Sequence, residues 1–79
     1  MKATGNLVRN GRVLVRGTTV QIRVQGKRWS GELDVPKDSN LFSGSYDLRL
    51  NDGRGGRITI GVIQGEHAFF DGEGELKKQ

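Results

Sequence analysis

Five arginines in the N-terminal part of the chain are spaced so that a β-sheet would place their side chains on one side. In the hairpin register derived below, Arg9 lies opposite Arg12, and Arg12 lies opposite Arg23. Arg16 and Arg28 fall on the same side of that sheet. Like charges directly opposite one another are destabilising, whereas guanidinium groups bind phosphate through paired hydrogen bonds and release its counterions. These five arginines are therefore our candidate binding residues.

Two interpretations of this arginine row compete. Sheets that bind nucleic acid usually interleave stacking aromatic residues with basic ones, but the predicted outer face offers Leu7 and Leu14, and Trp29 points inward. A solvated basic face explains the same pattern. We therefore expect a non-enzymatic binding or assembly module with a basic outer face, and we keep binding of nucleic acid through the arginine row as the alternative.

Three carboxylates near the C-terminus form a second constellation: Asp71, Glu73 and Glu75 alternate with Gly72 and Gly74. On a strand they share one face. This acidic row can meet the arginine row within the chain, if the last strand closes beside the first, or between chains, which predicts self-association or a protein partner. A calcium site is disfavoured, because carboxylates about 7 Å apart on an extended strand do not converge on one ion.

A glycine-rich stretch contributes secondary binding candidates. Arg54 and Arg57 flank Gly55-Gly56, and backbone amides with two arginines at a hairpin tip can cradle a phosphate. The structural explanation is simpler, since Gly53 suits a bulge and Gly56 lies opposite Leu48. The stretch also does not complete a phosphate-loop motif.

The chain offers little material for catalysis. It has one histidine, His67, and no cysteine, and its serines lie on different predicted elements. We therefore predict no enzyme activity, no catalytic residue, no metal, no cofactor and no small-molecule substrate. No apolar stretch is long enough to span a bilayer or to act as a secretory signal, so we expect a cytoplasmic protein without membrane contact.

Charge is distributed unevenly along the chain. Residues 1–31 hold seven bases and no acid, whereas residues 32–79 hold six bases and all nine acids, so the two parts carry +7 and −3 and the chain +4. This asymmetry indicates an anionic partner for the first part or a neutralising contact between the two parts.

The elements that must position these residues are predicted to be strands. Of 79 residues 13 are glycine, which leaves no room for a long helix, and valine and isoleucine alternate with polar residues, as in Val20, Ile22 and Val24. Turn dipeptides recur at the spacing of a small antiparallel barrel. We predict one all-β domain over residues 1–79, with six or seven antiparallel strands in meander order, closed into a barrel or tight sandwich.

Hairpin register follows from the rule that apolar residues of neighbouring strands share a face. Two-residue loops at Asn10-Gly11, Gly17-Thr18 and Gly26-Lys27 each satisfy this rule. They place on one core face the residues Val8, Val13, Val15, Val20, Ile22, Val24, Trp29, Leu33 and Val35.

The second half of the chain is read in the same way. A two-residue loop at Asp52-Gly53 does not bring the apolar residues of the two strands onto one face. A three-residue loop ending in a left-handed Gly53 does so and pairs Tyr46 with Ile58. At Gln64-Gly65 the register stays open, because either Phe69 or Phe70 can lie beside Ile60.

The segment from Pro36 to Ser45 is predicted to cross between the two meanders. We expect one helical turn after Asp38, with Leu41 and Phe42 closing one end of the barrel.

Overall fold

The computed structural model describes residues 1–37, 39 and 41–78 and contains seven strands. Their bounds are β1 Lys2–Arg9, β2 Arg12–Gln25, β3 Arg28–Asp34, β4 Gly44–Leu50, β5 Arg54–Gln64, β6 His67–Gly72 and β7 Lys77–Lys78. The prediction of an all-β fold is confirmed.

Six of these strands close into an antiparallel barrel. Strands β1–β3 and β4–β6 are two three-stranded meanders, and the pairs β1–β4 and β3–β6 join them into a ring. The order β4-β1-β2-β3 is a Greek key, because the fourth strand returns beside the first. The short β7 pairs with the beginning of β5.

The barrel interior is filled by the inward residues of all six strands. Its cluster of buried residues comprises Leu7, Val15, Val20, Ile22, Trp29, Leu33, Val35, Tyr46, Leu48, Leu50, Ile58, Ile60, Ala68 and Phe70. The predicted inward position of Trp29 is confirmed. Three other predictions are wrong. Leu7, assigned to the outer face, is fully buried, and Val24, assigned to the core, is 55% exposed at the end of β2. Val13, also assigned to the core, is half-buried and lies outside the core cluster.

Three predicted hairpins are confirmed. Val8 pairs with Val13 across a turn in which Asn10 and Gly11 both have positive φ, and Val24 pairs with Trp29. Tyr46 pairs with Ile58, and Gly53 has a φ of 90°, as the three-residue loop requires.

The predicted hairpin at Gly17-Thr18 is wrong. Strand β2 runs unbroken from Arg12 to Gln25, and the register against β1 shifts at this point, so Gly17 lies in a bulge instead of a turn. Its φ of 59° is a conformation that a bulge and a tight turn both use, and its N–H donates to Asn6 Oδ1 at 2.9 Å. Consequently Arg12 and Arg23 lie on the same strand and do not oppose each other.

The open register at Gln64-Gly65 resolves through a second irregularity. Gln64 pairs with His67, so Gly65 and Glu66 form the loop, and the register shifts between Ile60 and Val62. The shift places Phe70 beside Ile60 in the core and leaves Phe69 on the outer surface.

The crossing segment after β3 closes the barrel in part. Leu41 packs against the core as predicted, but Phe42 is 67% exposed, so its predicted position is wrong. Its backbone carbonyl instead accepts a hydrogen bond from the Tyr46 hydroxyl at 2.6 Å. The helical turn predicted after Asp38 falls on a stretch that includes residues outside the described ranges.

Candidate binding site

The structure separates the five candidate arginines. The Arg9 guanidinium lies over the Tyr46 ring, with 5.1 Å between its carbon and the ring centroid, and Arg12 pairs with Arg9 at the β1–β2 turn. Arg16 lines a different depression on the barrel. Arg23 and Arg28 come together, which leaves two of the five at one site.

These two arginines lie in a surface cleft with a volume of about 590 Å³, here called the Trp29 cleft. Its lining residues are Arg23, Gln25, Lys27, Arg28, Trp29, Ser30, Asp71, Gly72 and Gly74. The lining therefore contains three cationic side chains, all from the β2–β3 hairpin, and one carboxylate.

Strand register fixes where that carboxylate lies. Arg23 pairs with Ser30 across β2 and β3, and Ser30 pairs with Asp71 across β3 and β6. Paired residues share a face, and two strand spacings amount to about 10 Å. Arg23 and Asp71 thus stand on opposite sides of the cleft with Ser30 between them.

The cations of the cleft are not neutralised by ion pairing among the described residues. The salt bridges found there join Lys37 to Glu66, Arg54 to Asp52, Arg57 to Asp47 and His67 to Asp34. Arg23, Lys27 and Arg28 take part in none of these four pairs. Their charge is therefore available to a ligand.

Trp29 forms the floor of the cleft and is 3% exposed. Its ring meets Phe70 edge to face at 5.8 Å between centroids, and its other side rests on glycine backbone. A Cβ atom at Gly72 would come within 2.0 Å of Trp29 Cε2, and one at Gly56 within 3.0 Å of Cζ2. The buried Nε1 atom of Trp29 has no hydrogen-bond partner. The floor is thus tightly packed.

Two smaller depressions adjoin the Trp29 cleft. One, of about 300 Å³, shares Lys27, Arg28 and Trp29 with the cleft and adds Arg54 and Glu75. The other, of about 220 Å³, shares residues 23, 30 and 71 with the cleft and adds exposed Val62 and Phe69. Together they extend the cleft in two directions along the barrel.

The secondary candidates do not form a phosphate cradle. Arg54 Nη2 lies 2.6 Å from Asp52 Oδ2, and Arg57 Nε lies 3.9 Å from Asp47 Oδ1. The hydrogen bond from Arg54 lowers the pKa of the Asp52 carboxyl below its ordinary value, and the same bond raises the pKa of Arg54. Both arginines therefore carry their own counter-charge.

The predicted acidic row is broken. Strand β6 ends at Gly72, and Gly74 has a φ of 69°, so the three carboxylates do not continue along one strand. Asp71 lines the Trp29 cleft, Glu73 Oε1 accepts a hydrogen bond from the Thr59 hydroxyl at 3.0 Å, and Glu75 lines the adjoining depression.

The predicted meeting of the acidic row with the arginines, through a last strand beside the first, is also wrong. Strand β6 lies between β3 and β5, and β4 takes the place beside β1. Two carboxylates of the acidic row share a depression with candidate arginines in the described chain: Asp71 lies with Arg23 and Arg28, and Glu75 lies with Arg28 and Arg54. Sequence reasoning missed Lys27 and Ser30, which the β2–β3 hairpin places beside Arg28 and Arg23. It also missed Phe69, whose proximity depends on the β3–β6 pairing.

Within the described residues, no group of three or more His, Asp or Glu side chains is placed to hold a metal ion. In the same part of the chain, no helix is long and apolar enough to cross a membrane.

The fold and the site together define a small closed antiparallel β-barrel with a cation-lined surface cleft. Comparison with protein-family models, with curated proteins and with solved structures finds no match to this chain.

Proposed function

We propose that this protein is a non-enzymatic binding module and that the Trp29 cleft receives an anionic group of its partner. The observation that carries this proposal is the convergence of Arg23, Lys27 and Arg28 on the Trp29 cleft, outside the four ion pairs of the described chain. Three neighbouring cations repel each other, and a bound anion relieves that repulsion.

The side-chain chemistry of the cleft suits phosphate or carboxylate groups. Each arginine presents a planar fork of donors that bonds two oxygens at once, and Lys27 adds a compact point charge. Trp29 packs against Phe70 and the Gly72 backbone and so anchors the β2–β3 strands that carry these groups. Their backbone is therefore in place before the anion binds.

The lining of the cleft supports binding without catalysis. Ser30 is its one hydroxyl residue, and the lining contains no histidine to activate that hydroxyl. His67 lies in a different depression and pairs with Asp34 at 3.2 Å.

The chain's single tryptophan makes the proposal testable by fluorescence, because Trp29 reports directly on the cleft. The probe is inorganic tripolyphosphate, titrated at low salt. We expect the double variant Arg23→Gln/Arg28→Gln to bind at least about tenfold more weakly than wild type, since it loses two charge-assisted contacts.

The matched control is Arg12→Gln/Arg16→Gln, which removes the same charge from arginines outside the cleft. We expect it to change affinity by less than about twofold at moderate ionic strength. Equal weakening in both variants would mean that net charge, and not the cleft, attracts the anion. Absence of binding by wild type would refute the proposal outright.

A further inference from the structure

We propose that the anionic partner is single-stranded nucleic acid, with phosphates along the cationic side of the cleft and a base stacked on Phe69. This inference rests on the function proposed above and names the ligand class of the same site. It uses the groove formed by the Trp29 cleft and its two adjoining depressions.

The cations of the groove follow one another along its length. Lys27 and Arg28 line one end and the central cleft, and Arg23 lines the centre and the opposite end. Arg54 at the first end is paired with Asp52 and lies near Glu75, so the row consists of the three cations outside the ion pairs of the described chain. A row of cations along a groove suits the repeated phosphates of an extended strand better than it suits one isolated anion.

Phe69 supplies the aromatic surface that the sequence seemed to lack. It pairs with Glu32 on one side and with Val62 on the other, and its neighbours along the chain, Ala68 and Phe70, are buried. Phe69 therefore points outward and is 37% exposed. An exposed ring beside a basic groove is the usual platform on which an unpaired base stacks.

Asp71 lies two residues from Phe69 on the same face of β6, and the central cleft and the Phe69 depression both include it. A carboxylate repels phosphate but accepts hydrogen bonds from the amino groups of a base. Asp71 lies across Ser30 from Arg23. If the phosphates of a bound nucleic acid lie along the cations, its bases therefore lie on the side of Asp71. We therefore expect cytosine, whose N4 amino group donates, to be preferred to thymine, whose O4 accepts.

The test compares ligands of matched length, about eight nucleotides. Oligo(dC), oligo(dT), an abasic deoxyribose-phosphate chain and an oligoglutamate peptide are titrated against wild type, with Trp29 fluorescence as the readout. We expect both oligonucleotides to bind about tenfold more tightly than the abasic chain, and oligo(dC) roughly threefold more tightly than oligo(dT).

Two variants locate the base contacts. Phe69→Ser should remove the advantage of oligonucleotides over the abasic chain, whereas Phe42→Ser, which removes a more exposed ring outside the groove, should keep it. Asp71→Asn should abolish the preference for oligo(dC), since an amide both donates and accepts. Circular dichroism confirms that each variant is folded.

The outcomes separate this inference from the proposed function. If the abasic chain binds as tightly as the oligonucleotides, the cleft is an anion site and the nucleic-acid inference is wrong. If oligoglutamate binds most tightly, the partner is an acidic protein segment and the inference is again wrong. If tripolyphosphate and all four ligands fail to bind, the proposed function fails as well.

Discussion

At the scale of single residues, the contact between Trp29 and Gly72 holds the floor of the cleft in place. The indole lies so close to the Gly72 backbone that a Cβ atom there would meet three ring atoms within 2.4 Å. We expect Gly72→Ala to reduce the free energy of unfolding by about 1–3 kcal/mol, because the indole must shift within a packed core. Urea denaturation, followed by fluorescence, measures the loss.

Gly61 gives the matched control for this substitution. It also lies in the sheet, but a Cβ atom added there meets nothing within 4 Å. We expect Gly61→Ala to change stability by less than about 1 kcal/mol, since it adds no clash and restricts the unfolded chain slightly. Similar losses in both variants would show that the effect comes from the glycine backbone and not from the tryptophan.

At the scale of elements, the bulge at Gly17 bends the long strand β2 within its pairing with β1. Residues 12–21 of β2 pair with β1, and residues 20–25 pair with β3. Gly17 takes a left-handed φ of 59° where the register against β1 shifts. The bulge is therefore the bend that turns a flat ribbon into part of a barrel.

Substitution at Gly17 tests this role. We expect Gly17→Ala to destabilise the fold by about 1–2 kcal/mol, because an alanine is strained at positive φ. Gly17→Asn should cost clearly less, since asparagine tolerates that conformation and Asn10 already adopts a φ of 53° in this chain. Thermal or chemical unfolding compares the two variants, and equal losses would argue against a requirement for the left-handed backbone.

Some hairpins could be predicted from the sequence and others could not, because only some of them depend on local patterns. Alternating apolar residues and turn chemistry are local, so the hairpins at Asn10-Gly11 and Asp52-Gly53 were predicted correctly. The predicted turn at Gly17-Thr18 was wrong, because a left-handed glycine suits a bulge as well as a turn. Which of the two forms depends on the pairing of β2 with the whole of β1. The bulge at Gly61, which decides which phenylalanine is buried, has no local signal beyond the glycine itself.

The site was less predictable than the fold for the same reason. Arg23 and Arg28 were candidates from their spacing. Their neighbours Asp71 and Phe69 lie on β6, about forty positions further along the chain. Pairing over such distances depends on how the two meanders close on each other, which no local pattern specifies.

At the scale of the whole molecule, the two meanders complete each other. Strands β1 and β3 end the first meander, and they pair with β4 and β6 of the second. Each half alone would expose two unpaired edges and half of a hydrophobic core. The opposite net charges of residues 1–31 and 32–79 also favour their association.

Fragments test this dependence. We expect peptides 1–37 and 41–79 to be unfolded separately, because neither can bury the shared core, and to form native-like β structure when mixed. Circular dichroism and the dispersion of amide resonances follow the change. A well-dispersed spectrum from either fragment alone would show that one meander is stable without the other.

Closure of the ring has a consequence for the exchange of backbone amide hydrogens with solvent. Each of the six barrel strands is hydrogen-bonded to a neighbour on both sides, so no strand can detach without breaking two ladders. Local opening is therefore confined to the turns and the crossing segment, while the barrel amides exchange when the ring opens as a unit. The slowest amides are accordingly distributed around the whole circumference, instead of being concentrated in one hairpin.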